Sequence, residues 1–392
     1  MDWLLISVIG VIALALLFDF TNGFHDAANS VATVVATRAL PARLAPWFSA
    51  FFNFSAFFIV GTAVANTVAK VVHHDVEGVA VVFAALIAAI TWNYFTWYVG
   101  MPSSSSHAII GGLVGAGLAA GGLGAVNWKV VRTAVLAIVA SPLVAFAVAV
   151  VAMLILAKIQ RRWNISEDAK AYKGLQLVSA AAVSFGHGAN DAQKTMGIMA
   201  AVLYAGGYLA MRPDGSFEID WWIPLLAYSA ISIGTIWGGW KIIETMGLRI
   251  TKLRASSGLA ANIGAVTAIF GATGLGIPIS TTHAAASSVA GAGVASGKGV
   301  NARVIREMVT AWVVTIPATV LVGWVMFKLT RLPGISAYIV VGVILVALLS
   351  WIAWAMSKAM RADELAAEIP THSASPQPVA AAPRAEGHGT AE

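Results

Sequence analysis

The sequence predicts an all-α polytopic membrane protein, and three observations carry that prediction. Of 392 residues, 59% are hydrophobic and only 11% are charged, and the mean hydropathy is +0.81. A water-soluble domain carries about a quarter charged residues. Apolar runs long enough for a bilayer-crossing helix, about 20 residues each, recur along the whole chain. The alternating apolar and polar strands of a membrane barrel do not occur.

Taken in order, the apolar spans fall at residues 3–37, 44–69, 79–99, 102–121, 130–157, 174–206, 221–240, 258–275, 278–297, 304–328 and 336–357. That implies about 10–12 membrane helices. The first and sixth spans exceed one simple crossing. Each holds a glycine and a polar cluster near its middle, so each is expected to be broken or re-entrant there. The start of the chain lacks a basic leader and runs straight into Asp26, so it reads as a retained span rather than a signal peptide.

The loops sort by charge. Residues 38–43, 158–173, 241–254 and 298–306 are basic and read as cytoplasmic, while the stretches near Asp75–Glu77 and Asp214–Asp220 read as external. The net charge of +6 follows from this bias. It does not point to nucleic acid. With no cysteine, disulfide and thiolate chemistry are excluded. The tail, 358–392, is rich in Ala, Pro, Ser and charge and is expected to be disordered.

Two stretches occur twice. Gly23–Ala32 reads GFHDAANSVA and Gly188–Gly197 reads GANDAQKTMG, matching Asp26 with Asp191. An ionisable group inside a membrane span is expensive, by about 2.5–3.5 kcal/mol on insertion scales, and marks a pathway or a partner. Residues 100–119 and 276–295 share Gly-x-Pro, a hydroxyl run, His and a small-residue helix. Ser104, Ser105, Ser106 and His107 match Ser280, Thr281, Thr282 and His283. Proline at a first turn and Ser or Thr at a cap describe a helix that begins inside the membrane. Its free N–H groups favour an anion. Charge threading gives the two motif spans opposite directions. The expected layout is an inverted-topology repeat: 1–157, a basic cytoplasmic linker 158–173, then 174–357.

Together these motifs resemble the inorganic phosphate transporter (PiT) family, in which Gly-x-Asn-Asp-x-x-Asn occurs once per half. Here His25 stands for the first Asn of the first copy, and Lys194 for the final Asn of the second. The departures are similar to the bacterial low-affinity branch. The resemblance implies a symporter of inorganic phosphate in the cell (inner) membrane, not an enzyme, coupled to protons or sodium. Mg²⁺ can travel with the substrate as a metal–phosphate complex. No resident cofactor or metal site is expected. The lipid bilayer is the expected surrounding, and a homo-oligomer is compatible with the sequence.

On this reading Ser104, Ser105, Ser106, Ser280, Thr281, Thr282, Asn29, Gln193 and Lys194 bind substrate. Asp26, Asp191, Asn22, His25 and Asn190 serve the coupling cation or proton. His107 and His283 are candidate proton relays. Lys194, three residues after Asp191, shares its helix face and can stand where a sodium ion would stand beside Asn29. Three alternatives stay open at this point: a sulfate or other oxyanion permease, a passive anion channel, and an intramembrane aspartyl hydrolase using Asp26 and Asp191.

Overall fold

A computed structural model describes residues 3–76 and 78–369. Glu77 of the acidic loop and residues 370–392 of the tail lie outside the described residues. The helices are α1 (Trp3–Ala36), α2 (Ala45–Ser55), α3 (Ala63–Val68), α4 (Val79–Val99), α5 (Ser105–Gly121), α6 (Trp128–Trp163) and α7 (Lys170–Ala205). They continue with α8 (Trp222–Trp237), α9 (Trp240–Glu244), α10 (Ala255–Gly274), α11 (Thr281–Ala295), α12 (Ala302–Thr330), α13 (Ser336–Ser357) and α14 (Ala362–Glu368). Among the described residues, seven helices are long and apolar enough to cross a membrane. The chain is a multi-pass helical membrane protein.

The expectation that the two motif spans break at their centres is corrected. α1 and α7 are continuous, at 34 and 36 residues. At 1.5 Å per residue each is about 50 Å long, more than the ~30 Å hydrocarbon core. Their glycines are contact points instead of hinges. A Cβ on Gly23 would lie 2.1 Å from the Ile231 carbonyl oxygen of α8, and one on Gly188 would lie 2.4 Å from the Asn53 carbonyl oxygen of α2. Close backbone packing through small residues is how membrane helices associate without a hydrophobic drive between them.

The chain breaks elsewhere. Span 44–69 divides into α2, a 3₁₀ turn at Ala56–Phe58 and α3. Span 221–240 ends α8 at Gly238, where φ is +65°. Gly100 and Gly276, at φ +76° and +66°, turn the chain before Pro102 and Pro278. A short non-helical segment then leads into α5 and α11. Ser104 and Ser280 cap these two helices, each accepting from the N–H of the His three residues on.

Elements α1 to α6 recur in order as α7 to α12. α1 and α7 lie antiparallel: Val8 abuts Gly206 near one end, and Thr37 Oγ1 donates to Gln176 Oε1 (2.9 Å) near the other. α12 packs on α4 and α5 of the first half, and α6 packs on α10 and α11 of the second. The last helix of each half therefore clasps its opposite. Asn127 and Asn301 cap these two clasping helices.

The basic segment 158–173 is mostly helical. α6 runs to Trp163 and α7 starts at Lys170, leaving 164–169 as the connection. Its acids tie the basic loops together at one end of the molecule. Arg254 pairs with Asp168 at 2.7 Å, and Lys298 with Glu167 at 3.7 Å. At the other end the acidic loops meet. The Phe217 N–H donates to Asn66 Oδ1 at 2.7 Å, and the His74 ring sits against Tyr204 and Phe217. Lys328 lies at this second end, donating to the Ala119 carbonyl.

The first part of the tail is also corrected. Residues 362–368 form α14, with Leu365 fully buried. Arg43 pairs with Asp363 at 2.7 Å, and Arg38 donates to the Ile369 carbonyl at 2.7 Å. Compositional bias hid this helix. It is short and forms against α9 and the 38–43 loop.

Candidate functional site

The site lies where α1, α7 and the starts of α5 and α11 converge. Helical periodicity puts Asn22, Asp26 and Asn29 on one face of α1 and His187, Asp191 and Lys194 on one face of α7, since residues three and four apart are neighbours. The antiparallel packing brings the two faces together. All six side chains are buried, none more than 3% exposed.

Asn22 Nδ2 donates to Asp191 Oδ2 at 3.4 Å, and Ser105 Oγ donates to Asn22 Oδ1 at 2.7 Å. Thr281 Oγ1 lies 3.4 Å from Asp26 Oδ2 and 3.2 Å from Asp191 Oδ2, so one hydroxyl of α11 stands between the two carboxylates. Asn29 Nδ2 donates to the hydroxyls of Thr281 and Thr282, both at 3.2 Å. Lys194 Nζ reaches Asp191 Oδ1 at 2.6 Å, Ser106 Oγ at 2.5 Å and the Ile279 carbonyl at 3.0 Å. Three donors on an ammonium match these three acceptors. Ser106 also donates to Ile279 O at 2.7 Å. The same lysine thus ties α7 to both half-helix starts. His25 Nδ1 is 2.7 Å from Asp26 Oδ1, and its Nε2 is 3.0 Å from Thr96 Oγ1 on α4.

Of the expected site residues, Asp26, Asp191, Asn22, His25, Asn29, Lys194, Ser105, Ser106, Thr281 and Thr282 come together. Four are turned to structural work. Gln193 accepts from the Val64 and Ala65 N–H groups at the start of α3, and Asn190 bonds Thr273 and Ile277 around the Gly276 turn. Ser104 and Ser280 serve as caps. His107 and His283 meet at a tilt with ring centroids 4.5 Å apart, and His283 stacks on Trp312 at 3.9 Å. Among the described residues no hydrogen bond joins this pair to the carboxylates.

Two residues escaped the sequence reading. His187 lies 3.5 Å from Asp191 and 4.0 Å from Asp26, with its Nδ1 held 3.2 Å from Asn53 Oδ1. Aligning the motifs one residue earlier pairs it with Asn22, a signal that was available. The second is Asp19, fully buried on α1. Asp26, His187 and Asp191 offer ligand atoms all within 4.8 Å of one another, a set that can hold a metal ion. Two carboxylates and an imidazole are donors that divalent ions accept.

Two matched, antiparallel motif helices meeting two half-helix starts at a buried polar centre define a membrane carrier. The profile of the phosphate transporter family matches residues 22–173 and 162–323. A probable low-affinity inorganic phosphate transporter of Rhizobium meliloti is 45% identical over 318 residues, covering 81% of this chain and 94% of that protein. Its namesake in Bacillus subtilis is 41% identical over 331 residues, covering 82% and 97%. A solved structure titled as the sodium-dependent phosphate transporter is similar at TM-score 0.72 and 27% identity, over 84% of this chain and all of that one. The chain belongs to the phosphate transporter family. It is a transporter and not an enzyme, and the aspartyl-hydrolase alternative is set aside.

Proposed function

We propose that the chain carries inorganic phosphate across the cytoplasmic membrane by symport with protons, holding the anion between the starts of α5 and α11. The observation that carries this reading is Lys194, whose ammonium stands between Asp191 and the Ser106 hydroxyl. It supplies a fixed positive charge and charge-assisted donors where two helix N-termini meet. Ser105, Ser106, Thr281, Thr282 and Asn29 supply the neutral donors.

Phosphate near neutral pH carries between one and two negative charges. Moving each into a negative interior is uphill by about 2.3 kcal/mol per 100 mV. Lys194 occupies the α7 position that matches Asn29 and neutralises Asp191 in place of a bound cation. Protons then complete the balance, and a separate sodium ion at that position would meet like charge. The opposed directions of α1 and α7 support alternating access by two inverted halves. The Asp26–His187–Asp191 set favours one variant of this reading, in which a divalent cation accompanies phosphate as a neutral complex.

The test is labelled-phosphate uptake into proteoliposomes under separately imposed proton and sodium gradients, with and without Mg²⁺, and with sulfate and arsenate as competitors. Accumulation driven by an inside-alkaline gradient is expected. Uptake that follows the sodium gradient and ignores pH would overturn the coupling. Preferential uptake of sulfate would overturn the substrate.

A further inference from the structure

Asp19 lies two turns before Asp26, on the same side of α1 as Asn22. Neither repeated motif includes it. It is fully buried, and neither carboxyl oxygen makes a hydrogen bond of ordinary geometry among the described residues, the Thr195 and Asn22 side chains lying beside it. An ionised carboxylate in such a place would normally be paired and multiply hydrogen-bonded. Asp26 and Asp191 both meet that rule and Asp19 does not. Its surroundings are unusual in the same way. Thr195 on α7 and Tyr228 on α8 face it, and their hydroxyls are likewise buried without a partner of hydrogen-bond geometry among the described residues. The charged groups facing Asp19 are Asp191 and Lys194 from α7, and Tyr228 is the titratable group from α8.

We propose that Asp19 is the proton-carrying carboxyl of the transport cycle, loaded in the conformation described and discharged when α1 moves against α7 and α8. This rests on the symport reading above and names the group that performs it. A proton suits the place better than a metal ion. Lys194 already brings positive charge to this neighbourhood. A neutral acid adds none and needs only one acceptor for its O–H, which the Thr195 or Tyr228 oxygen can provide. Release of that proton would leave a carboxylate facing Lys194, in competition with Asp191 for the ammonium. Weakening the Lys194–Asp191 pair would disturb the Lys194–Ser106 bond that the proposed anion site depends on. Proton binding and anion binding would thereby be linked through one lysine.

The experiment compares wild type and Asp19→Asn in proteoliposomes. For the wild type, one pH unit of inside-alkaline gradient raises steady accumulation by up to about tenfold per coupled proton. Asp19→Asn is expected to bring that factor to about one while phosphate exchange between equal pools remains measurable. Asp19→Asn that accumulates with the wild-type gradient dependence overturns the proposal. Should Asp19→Asn fail to insert or exchange, Asp19→Glu decides. It keeps the acid but moves it by one methylene, so the half-point of its pH–uptake profile must shift. A profile superposing on the wild type overturns the proposal. If the wild type itself ignores the proton gradient, the symport reading fails instead, and the two failures are told apart.

Discussion

Replacing Lys194 by Asn tests the charge logic of the site most directly. The substitution restores on α7 the residue type that Asn29 provides on α1. It removes an ammonium bonded to Asp191, Ser106 and Ile279 O. Among the described residues Asp191 keeps Asn22 and Thr281 as hydrogen-bond partners, with His187 at 3.5 Å. Breaking a buried ion pair from one side leaves an uncompensated charge worth about 3–5 kcal/mol. Something positive must therefore enter. The vacated position, ringed by Asp191, Ser106 and a backbone carbonyl, consists of oxygen donors suited to sodium. The variant's uptake is expected to become sodium-dependent. In sodium-free medium the loss of charge-assisted bonds of about 1.5–3 kcal/mol raises the half-saturating phosphate concentration by roughly 10- to 150-fold. The assay is labelled-phosphate uptake into proteoliposomes across a phosphate titration, in sodium and in choline media. Wild-type uptake in choline, with no response to sodium, would refute the reasoning.

Other perturbations separate the site from its scaffold. Asp26→Asn should keep its contacts with His25 and Thr281 nearly isosterically but remove the charge, lowering uptake by roughly 10²-fold or more with little change in detergent thermal stability. Gly23→Val should prevent the approach of α1 to α8, because its Cβ would lie 2.1 Å from the Ile231 carbonyl oxygen. The readout is loss of monodisperse protein on size exclusion, and normal yield would contradict the close contact. Phe24, next in sequence to His25, packs against Tyr94 and Trp97 at 5.2 and 5.1 Å and lines a cavity of ≈ 450 Å³ together with Trp237, Trp240 and Arg361. Phe24→Ala should open the centre to that cavity. Phosphate efflux from loaded vesicles without a gradient would then rise, and unchanged efflux would count against a gating ring.

The sequence by itself determined the solvent and the chemistry. Its apolar spans and sparse charge require a bilayer. Two motifs, each present twice, named nearly every side chain at the centre, because polar clusters at matched depths in lipid are too costly to persist unless they meet partners in a common site. Local rules carried a hydroxyl cap at each half-helix start but assigned Ser104 and Ser280 to substrate, whereas they are the caps. Tertiary structure decided what depends on a neighbour. Whether Gly23 and Gly188 break a helix or seat one cannot be read from periodicity, since the answer is the carbonyl of Ile231 or Asn53 lying against them. Gln193 and Asn190 belong to the motif but turn to the α3 start and the Gly276 turn. A long amide side chain follows whichever unpaired backbone groups are within reach, and here those groups come from distant segments. His187 became a site residue only when antiparallel packing carried α7 across Asp26. The exchange of α6 and α12 between halves likewise lies in helix surfaces and not in any local pattern. Composition fixes where a helix can live, but which atoms meet there is set by contacts between segments far apart in the chain.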